Sequence, residues 1–330
     1  MRKPIPFLKQ NVRRNVTTLS DEIRFIENNT DRVRLPTTGY ITELSCTLHV
    51  TYSTGASPVP NEDAFLRLIK GIRITATGGR TYFDMQGGRE WFFWNSLHYK
   101  SKLRYDPITT DPNQTDVTAQ IELPIHFGIT NYFDPFDPSI VIPAVDESSL
   151  NLEVDWGNSA DLGTDYTIDP NNTYISITMS YLLVDNPELV WSKGIVKPIF
   201  EEIIVEIDST YSNLALERSL TVGVFAKELM IMVTDASDNR SDYDVKEVGI
   251  KFPKVPATPY REDWYSIVNK NKRRFELDQP FKGIALIPMS DLTGNPFGAD
   301  LTTLNPNDIQ LGFTTRVAGG KIRILQISLT

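Results

Sequence analysis

Cysteine is almost missing from this 330-residue chain: Cys46 stands alone, so no internal disulfide can form. That excludes the disulfide-stapled secreted modules. Cys46 sits in an apolar-alternating run and is expected to be a small buried hydrophobe. Long apolar runs are lacking too, since none approaches the ~18 residues of a membrane-crossing helix. Met1-Arg2-Lys3-Pro4 leads into no apolar segment of the signal-peptide kind. Histidine is scarce: His49, His98 and His126 lie far apart, and two of them fall on the polar side of alternating stretches, where a solvated ring is expected. There is no G-x-S-x-G elbow, phosphate-binding G-x-x-x-x-G-K-[ST] loop, H-E-x-x-H or G-x-G-x-x-G. The sequence therefore nominates no catalytic, cofactor-binding or metal-binding residue.

Acidic residues do cluster at Asp235, Asp238, Asp242 and Asp244, but without the spacing and closing glutamate of a calcium loop. A solvated loop is the expectation, with cation binding the rarer alternative. Asp134 and Asp137 precede prolines and are expected to form turns rather than a carboxylate pair. Basic residues do not interleave with aromatics, and the net charge is −9, which argues against sequence-specific nucleic-acid binding.

The charge is unevenly distributed. Residues 1–20 hold Arg2, Lys3, Lys9, Arg13 and Arg14 and no acid, leaving 28 bases against 42 acids, a balance of −14, in the remainder. A basic arm on an acidic body suits an anionic surface or a neighbouring subunit; a solvated terminus is the alternative.

Strict alternation is the commonest pattern. Thr42 to Tyr52, Ile121 to Phe127, Leu150 to Trp156 and Ile175 to Leu183 each place apolar residues at every second position. Such patterning makes strands with one face on a core and one toward water, as in antiparallel sheets. Ile203 to Ile207, Leu229 to Val233, Phe281 to Ile287 and Ile309 to Leu329 supply strands in the second half. Trp91, Trp94 and Leu97, like Trp264, Ile267 and Val268, fit one face of a short helix. Turn-rich connections between many short strands indicate sandwiches, a class that includes the eight-stranded jelly roll.

The chain also echoes itself. Trp94-Asn95-Ser96-Leu97 through Lys102 returns 170 residues later as Trp264-Tyr265-Ser266-Ile267 through Lys272. Ile41-Thr42-Glu43-Leu44 matches Ala226-Lys227-Glu228-Leu229 at 185, Ile69 to Ile74 matches Val245 to Ile250 at 176, and Leu123-Pro124 matches Ile287-Pro288 at 164. The period is a whole domain, far beyond the ~20–50 residues of a solenoid repeat. The expected division is an arm over 1–20, one β domain over 21–186, a linker over 187–197 and a second β domain over 198–330. Trp94 and Trp264 are the expected anchors of the repeat.

The order of segments carries a resemblance. Leu66 to Ile74 leads into Gly78-Gly79-Arg80-Thr81-Tyr82-Phe83-Asp84. Trp91 to Tyr105 follows, then Glu122 to Gly128, Asp134-Pro135, Ile142-Pro143-Ala144 and Leu150 to Trp156. This resembles the first half of the double jelly-roll major capsid proteins of tailless icosahedral viruses with internal membranes, found among bacteriophages, archaeal turreted viruses and, more distantly, adenovirus. The resemblance implies an all-β fold of two tandem eight-stranded antiparallel jelly rolls with short helices in corresponding loops. It further implies a non-enzymatic, cofactor-free shell protein, assembled as a homotrimer of pseudo-hexameric outline. Neighbouring capsomers, minor capsid or penton proteins and an internal membrane met by the arm would be its partners. The expected location is the virion, after synthesis in the host cytoplasm.

Two other classes compete. Bacterial peptide:N-glycanases, which release glycans hydrolytically, also pair two jelly rolls, but they are secreted and disulfide-bonded. A secreted carbohydrate-binding sandwich would use exposed aromatics, yet accounts for neither the duplication nor the basic arm.

Overall fold

The alternating runs 42–52, 121–126, 150–156 and 175–183 all form strands. The computed structural model describes residues 12–99, 103–127, 141–184, 198–252, 260–290, 299–305 and 308–329. The first half forms β1 (Val12–Thr18), β2 (Ile23–Arg24), β3 (Thr30–Arg34), β4 (Tyr40–Pro60), helix α1 (Ala64–Arg67), β5 (Ile69–Ala76), β6 (Thr81–Met85), helix α2 (Gly88–His98), β7 (Val117–His126), β8 (Leu150–Trp156), β9 (Gly163–Ile168) and β10 (Tyr174–Val184). The second half forms β11 (Pro198–Glu206), β12 (Leu216–Ser219), β13 (Phe225–Thr234), β14 (Val245–Lys251), β15 (Tyr260–Asp263), helix α3 (Trp264–Arg274), β16 (Ile284–Pro288), β17 (Ala299–Asp300), β18 (Gln310–Thr315) and β19 (Lys321–Leu329).

Two compact units result: Met1–Asn95 with Lys102–Ile199, and Phe200–Thr330 with Ser96–Ser101. In the first, one sheet runs β1-β10-β4-β7 and the other β3-β8-β5-β6, with β2 beside β10 and β9 beside β4. In the second, the sheets run β11-β19-β13-β16 and β12-β18-β14-β15, with β17 beside β13. Leaving aside the short extra strands β2, β9 and β17, both units read 1-8-3-6 in one sheet and 2-7-4-5 in the other. That is the antiparallel jelly roll, written twice.

Each roll closes on inward-facing residues of its two sheets. In the first, Leu44, Cys46, Leu48 and Val50 of β4 are buried, as are Ile72 and Ile74 of β5 and Leu152 and Val154 of β8. In the second, Leu229, Ile231 and Val233 join Val248, Leu311, Phe313, Ile322 and Ile324 in one cluster. Each such side chain taken out of water contributes about 1.5–3 kcal/mol.

The two rolls share irregularities as well as order. Where β4 pairs with β10, Thr42 is skipped; where β13 pairs with β19, Lys227 is skipped. Where β5 pairs with β8 the extra residue is Lys70, and where β14 pairs with β18 it is Lys246. These bulges stand 185 and 176 residues apart, the spacings read from the sequence for the same segments. A bulge fixes register and local twist, so matching bulges are a stronger sign of one repeated fold than matching apolar residues.

Two alignments need correction. Leu44 opposes Ile125 and Leu229 opposes Ile287, so Ile125, not Leu123, corresponds to Ile287; the sequence match had slipped by two residues. A two-residue slip keeps every side chain on its face, which is why the pattern did not betray it. The tryptophan match fails more seriously. Both helices join the fifth strand of a roll to the sixth, but Trp94 is the seventh residue of α2 and Trp264 the first of α3. The two are fully buried without being equivalent. Each helix needs bulky apolar residues to fill the gap between its flanking strands, and each places them on a different turn.

Candidate functional site

The basic arm was the one functional element the sequence nominated. Arg2, Lys3 and Lys9 lie outside the described residues, as do the linker residues 187–197. Arg13 and Arg14 are described, and they shorten the arm: from Val12 the chain is strand β1, paired residue for residue with β10 from Val12↔Val184 to Thr18↔Thr178. β1 forms one edge of its sheet. Both arginines are exposed there, as is Val16 at 62%. Charged side chains on an edge strand discourage indiscriminate pairing with other chains.

Arg14 reaches across the sheet, its Nη2 3.5 Å from Glu43 Oε2. Glu43 in turn stands opposite His126 on β7. Burial raises the Glu43 carboxyl above its usual range against the pull of Arg14. Burial, aided by the Arg14 charge, lowers His126 to about 4. Because the Arg14 side chain is 62% exposed, the ion pair contributes no more than about 1 kcal/mol.

The histidines do not converge on a site. His49 is half-buried on β4, stacked on Tyr174 at 4.6 Å, with Nε2 3.1 Å from Ser176 Oγ. His126 was expected to be solvated and is instead only 8% exposed, opposite Glu43 in the strand ladder. In the second unit the His98 Nε2 lies 3.0 Å from Glu228 Oε1, both side chains buried.

The acidic run of the second roll is taken up in hydrogen bonds within its loop and to neighbouring elements. Asp235 Oδ1 accepts the amides of Ser237 and Asn239, Asp242 Oδ1 accepts Trp264 Nε1 and the Gly283 amide, and Asp244 Oδ1 accepts the Ser241 hydroxyl. Among the described residues no group of three or more His, Cys, Asp or Glu is placed to hold a metal ion. Asp134 and Asp137 lie outside the described residues.

Sequence reasoning missed the outward face of α3. Trp264, Ile267, Val268 and Asn271 are buried, while Tyr265, Asn269, Lys270, Arg273 and Arg274 are exposed. Tyr265 is 44% exposed and, with Tyr243, flanks the Arg316 guanidinium at 5.7 and 5.4 Å from the ring centroids. An amphipathic count over residues 264–274 would have found this face.

No protein-family model and no curated protein matches the chain. Solved structures do. The crystal structure of the STIV MCP is similar at 15% identity and a TM-score of 0.81, over 96% of this chain and 97% of that one. A chain in the atomic structure of Sulfolobus Turreted Icosahedral Virus gives 15% and 0.80, over 96% and 90%. The major capsid protein of Bacteriophage PM2 gives 12% and 0.58, over 96% and 97%. What this chain shares with these viral proteins, over nearly its whole length, is the double jelly-roll fold of major capsid proteins.

Proposed function

We propose that the protein is the major structural subunit of an icosahedral viral shell, assembling as a homotrimer of pseudo-hexameric outline. The observation that supports this best is the repeated topology: two jelly rolls of one strand order, with bulges at matching positions, in a chain whose whole fold is that of the STIV MCP. Three such chains supply six equivalent sandwiches, and a ring of six makes a near-hexagonal block that can tile a flat facet. The role is packing rather than turnover. Its partners are further copies of itself, with minor capsid or penton proteins where facets meet, and its location is the virion after synthesis in the host cytoplasm.

The arm extends this reading to an internal membrane. With Arg13 and Arg14 exposed on β1, the cations of the arm before the first strand are Arg2, Lys3 and Lys9, each adding about 1 kcal/mol near anionic headgroups. A trimer presents three arms at once, so modest single-arm binding becomes useful avidity.

Sedimentation velocity and native mass spectrometry test the assembly, with a trimer expected. A chain that stays monomeric at all concentrations and ionic strengths would refute it. Flotation with anionic vesicles tests the arm. Changing Arg2, Lys3 and Lys9 to Ser should abolish flotation, and equal flotation of both proteins would assign the arm to lateral contacts instead.

A further inference from the structure

Three connections of the second roll each supply one side chain to a cluster that the fold leaves unfinished. Tyr243 lies in the loop between β13 and β14, Tyr265 is the second residue of α3, and Arg316 follows β18. The guanidinium is firmly placed. The Arg316 amide donates to Asp244 O at 2.8 Å, and its Nη1 donates to Tyr243 O at 2.8 Å and to Val245 O at 3.0 Å. The rings of Tyr243 and Tyr265 flank it at 5.4 and 5.7 Å, within the ~6 Å reach of cation–π attraction.

What this arginine lacks is an acid. Arg73, Arg80, Arg104 and Arg261 lie 3.0, 2.8, 2.8 and 2.7 Å from carboxylates. Arg316 forms no ion pair among the described residues, although Asp235, Asp242 and Asp244 share the loop of Tyr243. Those acids accept from amides, an indole and a hydroxyl instead. The Nε and Nη2 of Arg316 meet no acceptor among the described residues, and both are open to solvent. That edge is the fork that holds a carboxylate through two parallel bonds. The tyrosines are open as well. Tyr243 is 59% and Tyr265 44% exposed, and neither hydroxyl has a partner among the described residues.

We propose that this cluster binds an acidic saccharide, a sugar ring bearing one carboxylate beside its hydroxyls. The carboxylate takes the Arg316 fork, the apolar face of the ring lies against a tyrosine, and the hydroxyls meet the two phenolic groups. A single cation suits a single carboxylate. Nucleic acid is held by many cations together, and its like charge opposes a chain at −9. An acidic peptide offers the carboxylate without the hydroxyls and leaves both phenols unused. The site needs no second chain, so it stands or falls apart from the shell proposed above. On such a shell many copies turn a weak single contact into avid attachment to a saccharide-coated surface, and that consequence alone rests on the shell.

Saturation-transfer difference NMR of the full chain with methyl β-glucuronide tests the site, with methyl β-glucoside as the neutral counterpart. The glucuronide should give a saturable signal. The glucoside should bind at least about tenfold more weakly, because its hydroxymethyl group cannot fill the fork. Tyr243→Ala, Tyr265→Ala and Arg316→Lys should each weaken glucuronide binding at least about threefold, with an unchanged circular-dichroism spectrum. Should Arg316→Lys disturb its loop, the two exposed tyrosines still decide. No glucuronide signal, equal binding of the two glycosides, or tyrosine variants that bind as the wild type does would each overturn the site. Acetate competing as well as the glucuronide would reduce it to a simple anion contact and overturn the saccharide.

Discussion

Pro124 and Leu286 stand on the same rung of the two jelly rolls, and each has its outward backbone closed off by the helix beside it. Pro124 opposes Ser45 on β4 and Leu286 opposes Met230 on β13. In the first roll proline removes the outward N–H altogether, and Trp91 Nε1 donates to the remaining carbonyl at 2.9 Å. In the second, Asn271 serves both groups: its Nδ2 donates to Leu286 O at 2.7 Å, and its Oδ1 accepts the Leu286 amide at 2.6 Å. One side-chain amide thus imitates the next strand of the sheet. Both solutions protect an edge that would otherwise offer unpaired backbone groups.

Removing these caps should be expensive. Asn271→Ala leaves a buried donor and a buried acceptor unmatched, at about 1–3 kcal/mol each, and should lower stability by about 2–5 kcal/mol. Trp91→Phe keeps the ring but loses one donor and should cost about 1–3 kcal/mol. Urea unfolding checks both. An Asn271→Ala protein as stable as the wild type would mean that the edge is satisfied some other way.

The tryptophans remain structurally important although they are not equivalent. Trp94→Ala and Trp264→Ala each excavate a fully buried site and should each cost about 3–5 kcal/mol. Trp264→Phe should cost less but still register, since the indole N–H bonded to Asp242 at 3.0 Å is lost. Thermal melts of the three variants give the ranking, and a neutral Trp264→Ala would contradict the burial.

His126 sets an acid limit. An unfolded histidine titrates near 6.5 and the folded one at about 4, so the unfolded chain takes up its proton first as pH falls. The stability owed to the neutral buried ring is full above pH 6.5 and is lost between there and about 4, by at most about 3 kcal/mol. Glu43, whose carboxyl is raised by burial, acts in the opposite sense by gaining stability on protonation. His126→Phe should therefore flatten the fall in urea midpoint between pH 6.5 and 4. Parallel curves for the two proteins would remove His126 from the account.

Cys46 should be silent in the native state. It is 1% exposed, and burial first, then the Glu43 charge, pushes its thiol well above the ordinary range. Thiolate is the reactive form, so a thiol reagent at pH 8 should label the folded protein only as fast as the fold opens. Rapid stoichiometric labelling without denaturant would show that β4 is not seated as described.

Strand content and duplication were legible because a half-buried antiparallel sheet writes itself at period two. The matches at Glu43/Glu228 and Lys70/Lys246 were individually weak and correct, since they fall on strands whose bulges pin the register. The tryptophan match looked strongest and misled, because rarity in composition says nothing about position on a helix. The burial of His126 was illegible for another reason: alternation assigns a face, but not what lies over it. The exposed flank of α3 is legible as an amphipathic pattern over residues 264–274, with Trp264, Ile267, Val268 and Asn271 on the other side.

The paired bulges carry an implication for ancestry. Deleting the extra residue at Lys70 or Lys246 would turn every side chain on one side of it from core to solvent, so no single deletion can regularise the ladder without inverting a strand. Side chains drift one at a time, but an inserted residue of this kind is locked in once its strand has packed. In a gene copied and fused to itself, such insertions behave as fossils. They outlast the residues around them, and a register comparison of the two halves can reveal common descent where few identities survive.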